Sequence, residues 1–307
     1  MPDTASSADT PKQSPNQSNA SEHSGAPRVA VIADLHGNLA ATEAVLADLD
    51  LLRPDRVVIA GDFINRGPQG RAVLERMAPL GMPAISGNHD AWLAALARGQ
   101  RRPPNWESSW WTPVRRGVEE LTLEWVEWLE QLPFSLRVEV PGTTPLRIVH
   151  GSPRDNREGM GRRPSDADIA AMLATVEEPT VIGAHIHYPN ERDVGEQHVV
   201  VVGAVGSPFN GDINAQYGLF IWDDAARRWR FEHRSVPYDH APVFAAWREN
   251  GYLADGSVAS ALMLLEHQTA RIHYVPFGEW ASAQGLPHTR ETYERYREEF
   301  DRPPLPE

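Results

Sequence analysis

Five short clusters of oxygen- and nitrogen-bearing side chains punctuate the chain, each directly behind an apolar run. They are Asp34-Leu35-His36-Gly37-Asn38, Gly61-Asp62, Gly87-Asn88-His89-Asp90, His150-Gly151 and Gly183-Ala184-His185-Ile186-His187. Carboxylate, imidazole and amide groups suit hard or borderline cations. The chain has no cysteine, so thiolate metal sites, iron–sulfur clusters, disulfides and a cysteine nucleophile are excluded together. Seven side chains form the candidate ligand set: Asp34, His36, Asp62, Asn88, His150, His185 and His187. In an extended segment residues i and i+2 point the same way, so Asp34 with His36, and His185 with His187, are expected to face one site. Seven such ligands exceed one tetrahedral ion and suit two, with a carboxylate between them.

Taken singly these residues have plainer readings. Asp34, Asn38 and Asn88 suit helix caps, and His150 suits a turn or core position. Order and placement reverse that reading. The apolar runs at 29–33, 57–60 and 84–86 are each followed by a polar or glycine-rich turn and a helix-period segment, the rhythm of an α/β sheet. The carboxyl ends of neighbouring strands line one crevice, which lets residues as far apart as Asp34 and His187 meet. Residues 101–132 interrupt the rhythm with Pro103, Pro104, Trp106, Trp110 and Trp111. A helix is expected to follow there, carrying Val118, Leu121, Trp125, Leu129 and Leu132 on one stripe. Asn88 and His150 are 62 residues apart, against 26 between Asp62 and Asn88, so 101–132 reads as a helical cap beside the crevice. Trp125 and Trp128 are expected in the core.

Further strands are expected at 134–140, 147–149, 180–182, 199–202, 219–222 and 229–231, with one helix between Ser165 and Val176 opened by a Ser165–Asp168 capping pair. Residues 238–302 read as a helical extension and 303–307 as a frayed tail. Residues 1–27 are rich in Ser, Pro, Asn and Asp, and read as a disordered tail. Basic residues number 29 and acidic residues 42, a net charge of −13, which argues against an extended nucleic-acid surface or an anionic membrane. No apolar run approaches the roughly 20 residues of a membrane span, and a soluble, cytoplasmic protein is expected. The oligomeric state is not readable.

In order and placement the five clusters resemble the calcineurin-like metallophosphoesterases, with D-x-H, GD, GNH[DE], H and GHxH on strand ends. Ala184 is the one departure, standing between Gly183 and His185. The region of Gly206-Ser207-Pro208 and Asp212 is similar to a later loop of the bacterial phosphodiesterase-like branch. The resemblance implies a layered α/β sandwich of two central β-sheets flanked by helices, spanning 28–237, here with the Trp-rich insertion and the helical extension. It also implies two divalent or trivalent transition-metal ions, manganese first among them, with iron, zinc, cobalt or nickel admitted by the same ligands. Asp34, His36 and His187 would hold the first ion, Asn88, His150 and His185 the second, and Asp62 both. The implied reaction is hydrolysis of phosphodiesters or phosphomonoesters by a metal-bridging hydroxide. His89 would serve the leaving oxygen and Asp90 would orient His89.

Arg66, in Asn65-Arg66-Gly67-Pro68, resembles the phosphate-gripping arginine of the phosphoprotein phosphatases, and a surface salt bridge is its plainer reading. That segment keeps open a phosphoprotein phosphatase or a dinucleoside polyphosphate hydrolase. A third reading is a non-catalytic scaffold of the same fold. Two basic loops follow metal motifs. One holds Arg98, Arg101, Arg102, Arg115 and Arg116, the other Arg154, Arg157, Arg162 and Arg163. Facing the crevice they would attract a small phosphorylated, nucleotide-like substrate. On a solvated face they would do nothing of the kind.

Overall fold

The computed structural model describes residues 25–100 and 102–306, so most of the expected N-terminal tail, together with Arg101 and Glu307, lies outside the described residues. Strand β1 (Arg28–Ile32) shows how the layers arise. Successive side chains of a strand face opposite ways. Val29 and Val31 therefore enter a core with Val58, Ile148, Ile182, Val200, Phe220 and Trp229, between two sheets. Ala30 and Ile32 face away and pack beneath α1 (Leu39–Leu52), α2 (Gly70–Met77) and α3 (Asn88–Ala97).

The first sheet is ordered β2-β1-β8-β9, from β2 (Arg56–Ile59), β8 (Ala215–Asp223) and β9 (Arg228–Val236) around β1. The second is ordered β3-β4-β5-β7-β6, from β3 (Ser135–Val138), β4 (Leu146–Val149), β5 (Thr180–Gly183), β6 (Pro189–Val194) and β7 (Gln197–Val202). Its outer face, with Val149, Val181, Val199 and Val201, is covered by Ile169 and Met172 of α6 (Asp166–Met172). The expected capping pair opens that helix: Asp168 N donates to Ser165 Oγ at 3.2 Å and Ser165 N to Asp168 Oδ2 at 3.0 Å. The fold is the expected two-sheet sandwich flanked by helices.

Several local expectations differ. Residues 84–86 do not form a strand; Ala84 makes a single parallel bridge to Ile59. Strand β6 is additional to the expected strands: its sequence, PNERDV, is that of a polar edge strand and carries no apolar alternation. The single helix expected in the insertion is two, α4 (Thr112–Glu119) and α5 (Leu123–Gln131). Thr122 breaks the stripe by capping α5, accepting from Trp125 N at 3.4 Å. Val126 and Leu129 are the buried members. Trp125 and Trp128 do pack against the main core, and Trp128 meets Phe63 edge-on at 5.2 Å.

The C-terminal extension forms α7 (Ala241–Glu249), α8 (Val258–Thr269), α9 (Tyr274–Ala283) and α10 (Arg290–Phe300). Every residue of α8 from Val258 to His267 is buried, as for a helix enclosed on all sides. It packs with α9 and α10 against Trp110 of the insertion, whose ring stacks on Tyr274 at 4.4 Å and on His288 at 4.2 Å. The tail expected to fray is held at Pro303, whose carbonyl accepts from Tyr293 Oη at 2.9 Å, and at Leu305, which packs on the same cluster. Among the described residues no helix is long and apolar enough to cross a membrane.

Candidate metal centre

The chain turns sharply at the strand ends. Asp34, His36, Asp62, Asn65, Arg66, His185 and His187 have φ between 45° and 68°, a region that L side chains rarely adopt. They are seven of the twelve such non-glycine residues among those described, so backbone strain concentrates here, as it does at functional sites. The ligand pairs therefore converge by left-handed turns and not by the extended alternation expected. Backbone bonds fix these turns: Asp34 N donates to Gly61 O at 3.0 Å, His36 N to Asp62 O at 3.0 Å, and Gly206 N to Asp34 O at 2.9 Å. The turns pack so closely that a Cβ on Gly87 would fall 2.0 Å from Asp62 Oδ1.

All seven candidate ligands meet. Asp34, His36, Asp62 and Asn88 follow the first sheet; His150, His185 and His187 follow the second. Three imidazoles have their Nδ1 on a backbone carbonyl: His36 on Ile64 O at 3.1 Å, His150 on Ala60 O at 2.8 Å and His187 on Ser207 O at 2.5 Å. A carbonyl only accepts, so each Nδ1 carries a proton; the rings of His36 and His187 turn an Nε2 lone pair inward, and Nε2 of His150 faces inward onto Asp62. His36 Nε2 lies 3.1 Å from His187 Nε2. His150 Nε2 lies 3.0 Å from Asn88 Oδ1 and 3.2 Å from Asp62 Oδ2, and Asn88 Oδ1 is also 2.9 Å from His185 Nδ1.

Two carboxylate oxygens, Asp34 Oδ1 and Asp62 Oδ2, are buried without a hydrogen-bond partner. Asp34 Oδ1 is 3.6 Å from His187 Nε2 and 3.8 Å from His36 Nε2; Asp62 Oδ2 is 3.5 Å from His36 Nε2. Asp62 thus stands between the two groups of imidazoles. Orphaned acceptors among inward lone pairs demand positive charge, and the donor set fits cations.

Burial pushes His36 and His187 well below the ordinary imidazole range and His185 to about 4. Burial also opposes charge on His150, but the Asp62 carboxylate outweighs it and lifts the ring to about 10. Asp62, against its own burial, is held well below the usual range by His150, while burial raises Asp34. Like charges sharing a dry site split in this way.

His89 adjoins this set, its ring 5.1 Å from that of His36. Asp90, expected to orient it, does something else. Its carboxylate accepts from the backbone N–H of Asp62 at 2.8 Å, Phe63 at 2.9 Å and Gly87 at 3.0 Å, tying the turns that carry Asp62 and Asn88 together. The partner of His89 is Asn65, whose Nδ2 donates to His89 Nδ1 at 2.7 Å. Arg66 is not in a surface salt bridge; it is buried and ion-paired with Glu266 of α8. Asn65, beside Arg66 in Asn65-Arg66-Gly67-Pro68, has no sequence signal of its own for this role. Glu266 had one signal, a carboxylate within the otherwise apolar ALMLLE run.

The basic loops part company. Arg115 donates to Trp106 O at 2.5 Å and Ser108 O at 2.7 Å, and Arg116 pairs with Glu119 at 3.3 Å, so these two brace the insertion. Arg163 instead lines a cavity of about 330 Å³ with His185, Ile186 and Tyr188.

Residues 27–232 match the calcineurin-like phosphoesterase family, and the chain belongs to it. A symmetrical bis(5'-nucleosyl)-tetraphosphatase of Acidovorax ebreus (strain TPSY) is 34% identical over 127 residues, 39% of this chain and 42% of its own length. The corresponding protein of Janthinobacterium sp. (strain Marseille) is 32% identical over 108 residues, 34% of this chain and 38% of its own. The chain thus spans less than half the length of these curated relatives. A metallophosphoesterase structure from Sphaerobacter thermophilus shares the fold, with TM-score 0.61 and 24% identity, covering 80% of this chain and 99% of that one. So does a hypothetical protein from Pyrococcus horikoshii OT3, with TM-score 0.62 and 22% identity, covering 74% and 95%.

Proposed function

We propose that the protein is a dinuclear-metal phosphoester hydrolase acting on small nucleotide-like substrates, with dinucleoside polyphosphates the first class to test. The observation that carries this reading is the pair of orphaned oxygens, Asp34 Oδ1 and Asp62 Oδ2, among imidazoles whose Nε2 atoms face inward. The names of the curated relatives favour the polyphosphate class. Asp34, His36 and His187 would hold one ion, Asn88, His150 and His185 the other, and Asp62 both. Manganese is the first candidate, with iron, zinc, cobalt and nickel admitted by the donor set. When bound, such a pair supplies Lewis acidity toward the phosphoryl oxygens and the attacking water.

The chain's own residues would do the rest. His89 accepts from Asn65 at Nδ1, which leaves its proton on Nε2. Burial lowers this ring to about 4, so at neutral pH it is an uncharged N–H donor for the leaving oxygen. Arg66 would grip a phosphate oxygen. Asp90 keeps the Asp62 and Gly87 turns in register.

The test is hydrolysis by manganese-reconstituted protein of diadenosine tetraphosphate, cyclic nucleotides, bis-p-nitrophenyl phosphate and p-nitrophenyl phosphate. The expected result is the highest kcat/KM for diadenosine tetraphosphate. A preference for bis-p-nitrophenyl phosphate would favour the phosphodiesterase reading, which the paired histidines of Gly183–His187 suggest. No turnover of any substrate with both ions bound leaves the scaffold reading.

A further inference from the structure

Arg66 and Glu266 are 200 residues apart, and Glu266 lies beyond the span that matches the family. Their ion pair is enclosed, with Arg66 7% and Glu266 1% exposed. Both oxygens of Glu266 are committed. Oε2 takes Arg66 Nη2, while Oε1 accepts from the backbone N–H of His273 at 2.8 Å and Tyr274 at 2.9 Å, where α9 begins. The guanidinium also lies 5.1 Å from the centre of the Phe209 ring, which stacks on His187 at 4.4 Å and 10°. The Arg66 backbone is in the left-handed region at φ 63°, and its Nε is buried without a partner. Breaking a buried pair is costly and keeping one gives little net stability, so a second role for the pair has to be sought in direction. A planar fork anchored by a carboxylate and flanked by a ring has few orientations left.

We propose that Glu266 is a positioning residue. It aims Arg66 at the substrate phosphate and so makes α8 and the start of α9 part of the phosphate-binding wall. The proposal rests on reading Arg66 as a phosphate contact. Its sequence logic is that the C-terminal extension does more than cover the insertion.

The test is a cycle between Glu266→Gln and Arg66→Ala in the full chain loaded with manganese, read by kcat/KM, metal content and protection by inorganic phosphate against thermal unfolding. A glutamine carbonyl still accepts from His273 and Tyr274, but its amide presents a donor to Arg66. Glu266→Gln is expected to retain metal, lose about 10- to 100-fold in kcat/KM and lose phosphate protection, as a misplaced contact does. Glu266→Asp should recover part of both. In the Arg66→Ala background Glu266→Gln should add no further loss, because its effect runs through Arg66. Should Glu266→Gln fail to fold, Glu266→Asp, which keeps the charge but draws the carboxylate back from Arg66, takes its place in the same cycle with a smaller loss expected. Folded Glu266→Gln with unchanged kcat/KM and phosphate protection, or a loss that persists in the Arg66→Ala background, overturns the proposal. Wild-type protein that neither turns over phosphoesters nor is protected by phosphate defeats the reading of the site itself, and this proposal with it.

Discussion

His36 Nε2 and His187 Nε2 face each other across 3.1 Å, each ring keeping its proton at Nδ1 and donating it in a hydrogen bond to a backbone carbonyl. Two lone pairs at that distance repel unless a cation lies against both. Reconstituted protein is therefore expected to hold about two transition-metal ions per chain, to unfold at lower temperature after chelation, and to lose its hydrolytic activity. Elemental analysis with thermal unfolding decides this. Fewer than about one ion per chain after manganese or iron loading rejects the dinuclear arrangement.

His89→Ala is expected to keep its metal while kcat falls by roughly 10² to 10⁴, the usual contribution of a positioned acid. Asn65→Ala removes only the donor at His89 Nδ1 and should cost less, about tenfold, by releasing the tautomer. If His89→Ala empties the site, His89 is a ligand and the assignment is wrong.

Asp90→Ala should act on stability first. It strands three backbone N–H groups, of Asp62, Phe63 and Gly87. Each buried donor left unpaired costs about 1–3 kcal/mol, so a drop of several kcal/mol in urea unfolding is expected. A variant as stable as wild type but inactive would return Asp90 to a catalytic role.

The two arginine loops should respond differently. Arg115→Ala is expected to lower thermal stability with little change in KM, because Arg115 braces Trp106 and Ser108. Arg163→Ala, beside His185, should raise KM for a polyanionic substrate more than for bis-p-nitrophenyl phosphate, and should flatten the salt dependence of kcat/KM. Equal KM changes for the two substrates would make Arg163 ordinary surface charge.

Acid should destabilise the fold through His267 of α8. Burial lowers this ring to about 4, and its Nε2 has no partner. The folded value is below the unfolded one near 6.5, so the unfolded chain binds the extra proton between them. Stability is then unaffected above about pH 6.5 and falls as pH drops toward 4, by at most about 3 kcal/mol. In urea unfolding from pH 7 to 4.5, His267→Leu should show a shallower loss than wild type; an identical slope would remove His267 as the cause.

The sequence alone singled out the candidate ligand set, because side-chain type and strand-end placement are local properties. An apolar run followed by Asp-Leu-His or Gly-Asn-His needs no distant partner to be noticed. It determined the α/β rhythm for the same reason, through period and turn chemistry, while the two-sheet layering came only as what the resemblance implies. Tertiary structure decided what each side chain touches. Asp90 stands next to His89 in sequence, yet its carboxylate is turned to the Asp62 and Gly87 turns, and Asn65 takes its place across 24 positions. The site straddles two sheets, so no one strand pattern contains it. Left-handed turns at Asp34, His36, His185 and His187 bring the ligands inward where an alternation rule assumes extended chain. Glu266 reaches Arg66 only because an enclosed helix from the C-terminal extension packs there, and packing partners of a buried helix are chosen by the whole core, not by the residues beside them.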